Sequence, residues 1–86
     1  MYYLLTGERC PKCEQVKKFL ERNPEIKDRL GEEFKEINTS SKEGFEYAVK
    51  WKARSVPMLV ITPDGEEAKE MVSGEGNIIN YFEAKV

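Results

Sequence analysis

The 86-residue chain contains no histidine and only two cysteines. Without imidazole it lacks both the side chain most often used for proton transfer at neutral pH and the commonest nitrogen ligand for metals. Two cysteines are too few for a disulfide framework, and a pair as close as Cys10 and Cys13 closes a loop too short to staple distant segments. Long apolar runs are missing as well. The longest, Val56 to Ile61, falls far short of the roughly 20 residues that a membrane-spanning helix needs. Nor is there a block of one charge: 14 basic and 16 acidic side chains are interleaved and leave a net charge of −2. No stretch marks a phosphate-binding face, so nucleic acid is excluded as the expected partner. The opening residues Tyr2, Tyr3, Leu4 and Leu5 lack the basic region, apolar segment and small-residue cleavage site of a secretory signal, and the expected location is cytoplasmic.

Forty per cent of the residues are hydrophobic, with Val, Ile, Leu and Phe recurring along the whole length, which supplies a core and argues against disorder. A chain of this length fits one domain, 1–86, that buries roughly 60–65% of the surface its unfolded form exposes. It is expected to fold alone and to be a monomer.

Met1 to Thr6 reads as a buried strand that Gly7 breaks. From Pro11 the period becomes helical, with Val16, Phe19 and Leu20 on one face, until Asn23 and Pro24 interrupt it. Pro24 opens a second short turn carrying Ile26 and Leu30, stopped by Gly31. Glu33 to Asn38 suits a short strand. Ser40 or Ser41 can cap the next helix, whose inner face is expected to be Phe45, Ala48 and Val49, with Trp51 at its end covering a core edge. Met58 to Thr62 is the clearest strand, and Pro63-Asp64-Gly65 is a turn signal in which glycine takes the positive dihedral. The second arm of that hairpin is expected over Glu67 to Val72, as an edge strand ended by Gly74 and Gly76. Ile78, Ile79, Phe82 and Val86 give a last helix. The order is βαβαββα. Strands joined by a helical crossover pair in parallel and strands joined by a tight turn pair antiparallel, so the expectation is an α/β fold with a mixed, four-stranded sheet flanked by helices.

Cys10-Pro11-Lys12-Cys13 lies where the first strand gives way to the first helix. Cys10 falls at the N-cap, Pro11 at the first helical position that favours proline, and Cys13 at the third, so the two sulfurs approach across one turn and can form a reversible disulfide. A thiolate at Cys10 faces unpaired backbone N–H groups and the positive end of the helix dipole, which lower its pKa below the roughly 8.5 of a free thiol. Arg9 and Lys12 push the same way. Cys10 is therefore the expected nucleophile, and Cys13 the resolving thiol that attacks the mixed disulfide. The alternative is a non-catalytic metal- or partner-binding module. A structural zinc site usually takes four N or S ligands, which this chain could complete only with a second copy, so no metal is expected.

With these residues in place the sequence resembles the glutaredoxin family, including the glutaredoxin-like redoxins that serve ribonucleotide reductase. Four segments match in order: a first strand running into Cys10-Pro11-Lys12-Cys13, Ser55-Val56-Pro57 before a strand, Ser73-Gly74 closing the last strand, and a terminal helix. The resemblance implies a thioredoxin-like, glutaredoxin-type fold with a cis peptide before Pro57 set against the cysteines, and a backbone at Val56 that pairs with substrate. Substrate contacts are expected at Arg9, Lys12, Val56, Pro57, Ser73 and Gly74. The implied activity is thiol–disulfide exchange on protein disulfides, ribonucleotide reductase among the candidates, with no bound cofactor. Electrons would come from glutathione or from a flavoprotein such as thioredoxin reductase. Three features differ from the family pattern: Lys12 replaces a tyrosine, Gly7 a lysine that binds glutathione's carboxylate, and Gly76-Asn77 an acidic pair that holds its amino group. Arg9, Lys52 and Arg54 are the remaining carboxylate donors, and weak recognition of glutathione is expected.

Overall fold

Four consecutive buried residues, Tyr3 to Thr6, make β1 (Tyr2–Thr6) an interior strand, covered on both faces. In the computed structural model, which describes residues 1–64 and 67–85, β1 is followed by α1 (Pro11–Arg22), α2 (Pro24–Leu30), β2 (Phe34–Asn38), α3 (Lys42–Lys50), β3 (Met58–Ile61), β4 (Glu70–Ser73) and α4 (Glu75–Lys85). A 3-10 turn at Gly31–Glu33 leads from α2 into β2. The sheet order is β2-β1-β3-β4, with β1 parallel to β2 and antiparallel to β3, and β4 antiparallel to β3. The parallel pair is the one joined by helices, as the length of that crossover requires.

Alternation along the strands divides the core in two. Leu4 and Leu59 face Val16, Leu20, Ile26, Leu30, Ile78 and Phe82 from α1, α2 and α4. Tyr3, Leu5, Met58 and Val60 face Trp51 on the α3 side. The odd spacing of Phe34 and Ile37 in β2 follows from this division, because Phe34 packs on the first cluster and Ile37 on the second.

Helix α3 corrects the expected inner face. Ala48 is half-buried, but Phe45 and Val49 are 62% and 60% exposed, and the face turned to the sheet is Gly44, Tyr47, Ala48 and Trp51. Close approach decides it. The Ser41 side chain caps the helix by accepting from the Gly44 amide at 3.0 Å, and a Cβ at Gly44 would stand 1.9 Å from the Asn38 carbonyl oxygen. That side of the helix must therefore lie against the end of β2, with the rings of Tyr47 and Trp51 stacked toward Tyr3 at 5.7 and 5.0 Å. At its C-terminus the Lys52 amide donates to the Val49 carbonyl at 3.2 Å and the Ala53 amide to the Ala48 carbonyl at 2.8 Å, with Lys52 left-handed at φ 55°. This paired closure turns the chain sharply toward Val56.

Two boundaries near the end also differ. β4 begins at Glu70 rather than Glu67, since the Asp64 side chain accepts from the Glu67 amide and ladder contact resumes only where the Lys69 amide meets the Ile61 carbonyl at 2.9 Å. The part of Gly65 in that turn, and Val86, lie outside the described residues. Gly76 does not end the strand: α4 starts at Glu75, its first intrahelical bond running from the Ile78 amide to the Gly74 carbonyl, so Gly76 is within the helix.

The α3 arrangement is testable by thermal unfolding. Gly44→Ala, although alanine is the better helix former, is expected to destabilise by about 1–3 kcal/mol through its clash with Asn38. Trp51→Ala should cost about 3–5 kcal/mol and Phe45→Ala under about 1 kcal/mol. A Phe45→Ala cost as large as that of Trp51→Ala would restore the face read from hydropathy.

Candidate active site

β1 delivers the chain to the site at a fixed height. After Thr6, the Glu8 amide donates to Ser40 Oγ at 3.4 Å and Arg9 turns left-handed at φ 52°. Cys10 then adopts an extended conformation as the N-cap of α1. Its carbonyl accepts from the Glu14 amide and its sulfur from the Cys13 amide, each at 3.1 Å. Pro11 has no N–H to satisfy, and the Cys13 amide of this first turn is satisfied by the cap sulfur. The positive end of the helix is thus focused on the Cys10 sulfur.

Cys10 and Cys13 form a disulfide with a Cα–Cα distance of 5.2 Å, in the ordinary range for such bridges. The two sulfurs are not equivalent. Cys13 is fully buried on the inner side of the first turn of α1, whereas Cys10 is half-buried and flanked by the exposed Arg9 and Lys12. Neither cation forms a salt bridge with a described residue.

The second wall is the segment before β3. The Val56–Pro57 peptide is cis, and the Val56 carbonyl oxygen lies 3.9 Å from Cys10 Sγ. Pro57 is buried, and its carbonyl accepts from the Gly74 amide at 3.2 Å. Ser73 stands opposite Met58 in the ladder, and Gly74 takes φ 91° to enter α4. Five of the eight residues read from the sequence, Arg9, Cys10, Lys12, Cys13 and Val56, therefore meet at the end of β1, and Ser73 and Gly74 reach the site through Pro57. Among the described residues no group of three Cys, Asp or Glu side chains could hold a metal ion.

Sequence reasoning gave Gly7 and Thr39 no role in positioning this wall. A Cβ at Gly7 would lie 3.1 Å from Val56 Cγ2 and 3.8 Å from Thr39 Oγ1, so a bare backbone here gives Val56 its place. Thr39 is tied to the end of β1, its amide and hydroxyl both donating to the Thr6 carbonyl at 2.8 Å. Gly7 was readable only as a strand breaker, since its contact partner is far along the chain. The acids opening α4 also differ from expectation: Glu75 occupies the first helical position, and Asn77 donates its side-chain amide to the Ser73 carbonyl at 3.0 Å. The hydroxyl of Tyr81, whose pKa is raised by burial and then by Tyr2 and Glu70, belongs to the opposite end of the sheet.

No protein-family model matches the sequence, and no curated protein does. Solved structures do match. A thioredoxin from Thermus thermophilus aligns with 96% of this chain and 70% of its own at 19% identity, with a TM-score of 0.69. A malarial protein aligns with 99% of this chain and 94% of its own at 11% identity, with a TM-score of 0.55. The fold is thioredoxin-like. A disulfide at the start of the first helix of that fold is consistent with thiol–disulfide oxidoreduction.

The inequality of the two sulfurs predicts the outcome of alkylation after reduction. Brief iodoacetamide treatment of the folded protein is expected to modify Cys10 at least about tenfold faster than Cys13, as mass spectrometry of the digested product would measure. Comparable modification of both would show that Cys13 is not shielded.

Proposed function

We propose that this protein is a dithiol carrier that reduces disulfides in other proteins. The observation that supports the reading most strongly is the Cys10 sulfur held at the N-terminus of α1, accepting from the Cys13 amide, with the Val56 carbonyl beside it. The Cys13 amide that donates to this sulfur in the disulfide stabilises a thiolate there once the bond is reduced. The Cys10 thiolate attacks one sulfur of a substrate disulfide, forming a Cys10–substrate mixed disulfide and expelling the other substrate sulfur as a thiolate, which takes up a proton. Cys13, deprotonated in turn, attacks Cys10 Sγ, re-forms the Cys10–Cys13 disulfide and releases the second substrate sulfur. Two electrons pass to the substrate and two cysteines of this chain are oxidised.

In this reading the backbone of Val56 pairs with the substrate strand, while Pro57 and Ser73-Gly74 form the floor beside it. Arg9 and Lys12 favour anionic sulfur at each step. Re-reduction draws two electrons from a flavoprotein reductase or from glutathione, in a reducing compartment such as the cytoplasm. Ribonucleotide reductase is one substrate of the required kind. Gly7 offers no cation, and Asn77 is engaged with Ser73, leaving Glu75 as the acid that opens α4. These features favour a protein reductase over glutathione.

Two experiments test the proposal. Cys13→Ser should accumulate a mixed disulfide through Cys10 with a protein disulfide such as insulin, whereas Cys10→Ser should lose insulin reduction to the background rate of dithiothreitol. Trapping through either sulfur alike would reverse the assignment, and no insulin reduction by the unaltered chain would end it. In coupled assays, thioredoxin reductase is expected to regenerate the dithiol several-fold faster than glutathione with glutathione reductase; equal or reversed rates would contradict the preference.

A further inference from the structure

Phe45 and Val49 are exposed on α3 although both are large and apolar, and they are not isolated. Phe45 shares a groove of about 250 Å³ with Thr39, Ala48, Ala53, Arg54, Ser55 and Val56, and Val49 stands one helical turn further along the same side. Ala48 and Ala53, brought together by the closure of α3, keep the floor of that groove low. Val56 also lines it, and the carbonyl oxygen of Val56 lies 3.9 Å from Cys10 Sγ, so the groove adjoins the candidate active site.

Three exposed cations lie near it. Arg54, at the groove, and Arg9 and Lys12, beside the disulfide, are exposed and form no salt bridge with a described residue, in a chain whose net charge is −2. The exposed Glu8 is the acid on the same loop as Arg9. Apolar surface flanked by unpaired guanidinium fits a partner that presents a large apolar side chain next to a carboxylate. Glutathione has a carboxylate but no large apolar side chain, so it cannot use Phe45 and Val49.

We propose that the groove between α3 and the 53–56 segment is a docking subsite for protein substrates, taking a large apolar side chain against Phe45 and Val49 and an adjacent acidic side chain at Arg54. This rests on the thiol–disulfide reading of Cys10 and names the class of substrate segment it serves: an extended stretch near the reacting cysteine, apolar and acidic. Selection among disulfides then comes from α3, while the chemistry stays at α1.

The test compares two disulfide-linked peptides of equal length, one with Phe-Asp and one with Ser-Lys near the cysteine, dithiothreitol being the electron source. The unaltered chain should favour the Phe-Asp peptide about tenfold in kcat/KM, mostly through KM, the size of effect expected from partly burying one large apolar side chain. In Phe45→Ser/Val49→Ser that preference should fall to within about twofold, and in Arg54→Gln it should fall several-fold and lose its sensitivity to salt. Equal reduction of both peptides by the unaltered chain, which needs no variant, overturns the subsite. So does a preference that depends on Arg54 alone, which would mark a plain carboxylate contact. A separate titration uses the Phe-Asp peptide with serine in place of cysteine, followed by amide resonances. Shifts at Phe45, Ala48 and Val56 support the groove even if neither peptide is reduced, which would refute the redox reading alone; no shifts there overturn the groove even if both are reduced.

Discussion

Burial of β1 on both faces is the constraint on which the site depends. Leu4 is locked among α1, α2 and α4, while Tyr3 and Leu5 are locked against Trp51 and Met58, so the strand can neither slip nor tilt without opening one cluster. Its last residue, Thr6, is buried and its carbonyl is held by Thr39. The short loop from Gly7 to Cys10 is therefore suspended between two rigid supports, the end of β1 and the start of α1. The cysteine pair inherits its position from this packing, with Cys13 itself fully buried in the first turn of α1.

On that scaffold the chemistry needs few parts. A chain without histidine has no imidazole to deprotonate a thiol, and the helix supplies the alternative by placing an amide donor and its partial positive charge at the Cys10 sulfur. In the proposed function, electrostatic stabilisation of the Cys10 anion takes the place of proton abstraction. Arg9 and Lys12 add to it from solvent, where screening makes each contribution small. The main share therefore lies in the backbone, which no side-chain substitution outside the cap removes.

The parts that were legible in the sequence are those set by local rules. Proline and the N-cap fixed the start of α1, Asn23-Pro24 its end, and unbroken apolar runs the interior strands; the parallel or antiparallel sense of the pairings followed from the connections. The placement of Cys10 at the cap and Cys13 within the first turn was readable for the same reason. Long-range contacts were not. The inner face of α3 depends on Gly44 abutting the backbone of Asn38, and hydropathy alone favoured Phe45 and Val49 over a face made of glycine, alanine, tyrosine and tryptophan. The i, i+3, i+4, i+7 spacing of Gly44, Tyr47, Ala48 and Trp51 was a signal that could have been weighed. The start of β4 was missed because Pro63-Asp64 marks a turn without saying how far the chain travels before it pairs again. Gly7 and Thr39 carry no local mark of their neighbourhood with Val56.

The corrected helix face is also what the proposed docking subsite rests on, since Phe45 and Val49 lie outside the core. Use of that subsite by a substrate presupposes an activated Cys10. The most direct test is ultraviolet absorbance of the thiolate against pH in the reduced protein, with Cys13→Ser isolating the Cys10 transition. The account predicts a midpoint below that of cysteine in an unstructured peptide, shifted back toward it by unfolding in denaturant. A midpoint in the folded protein at or above the peptide value would contradict it.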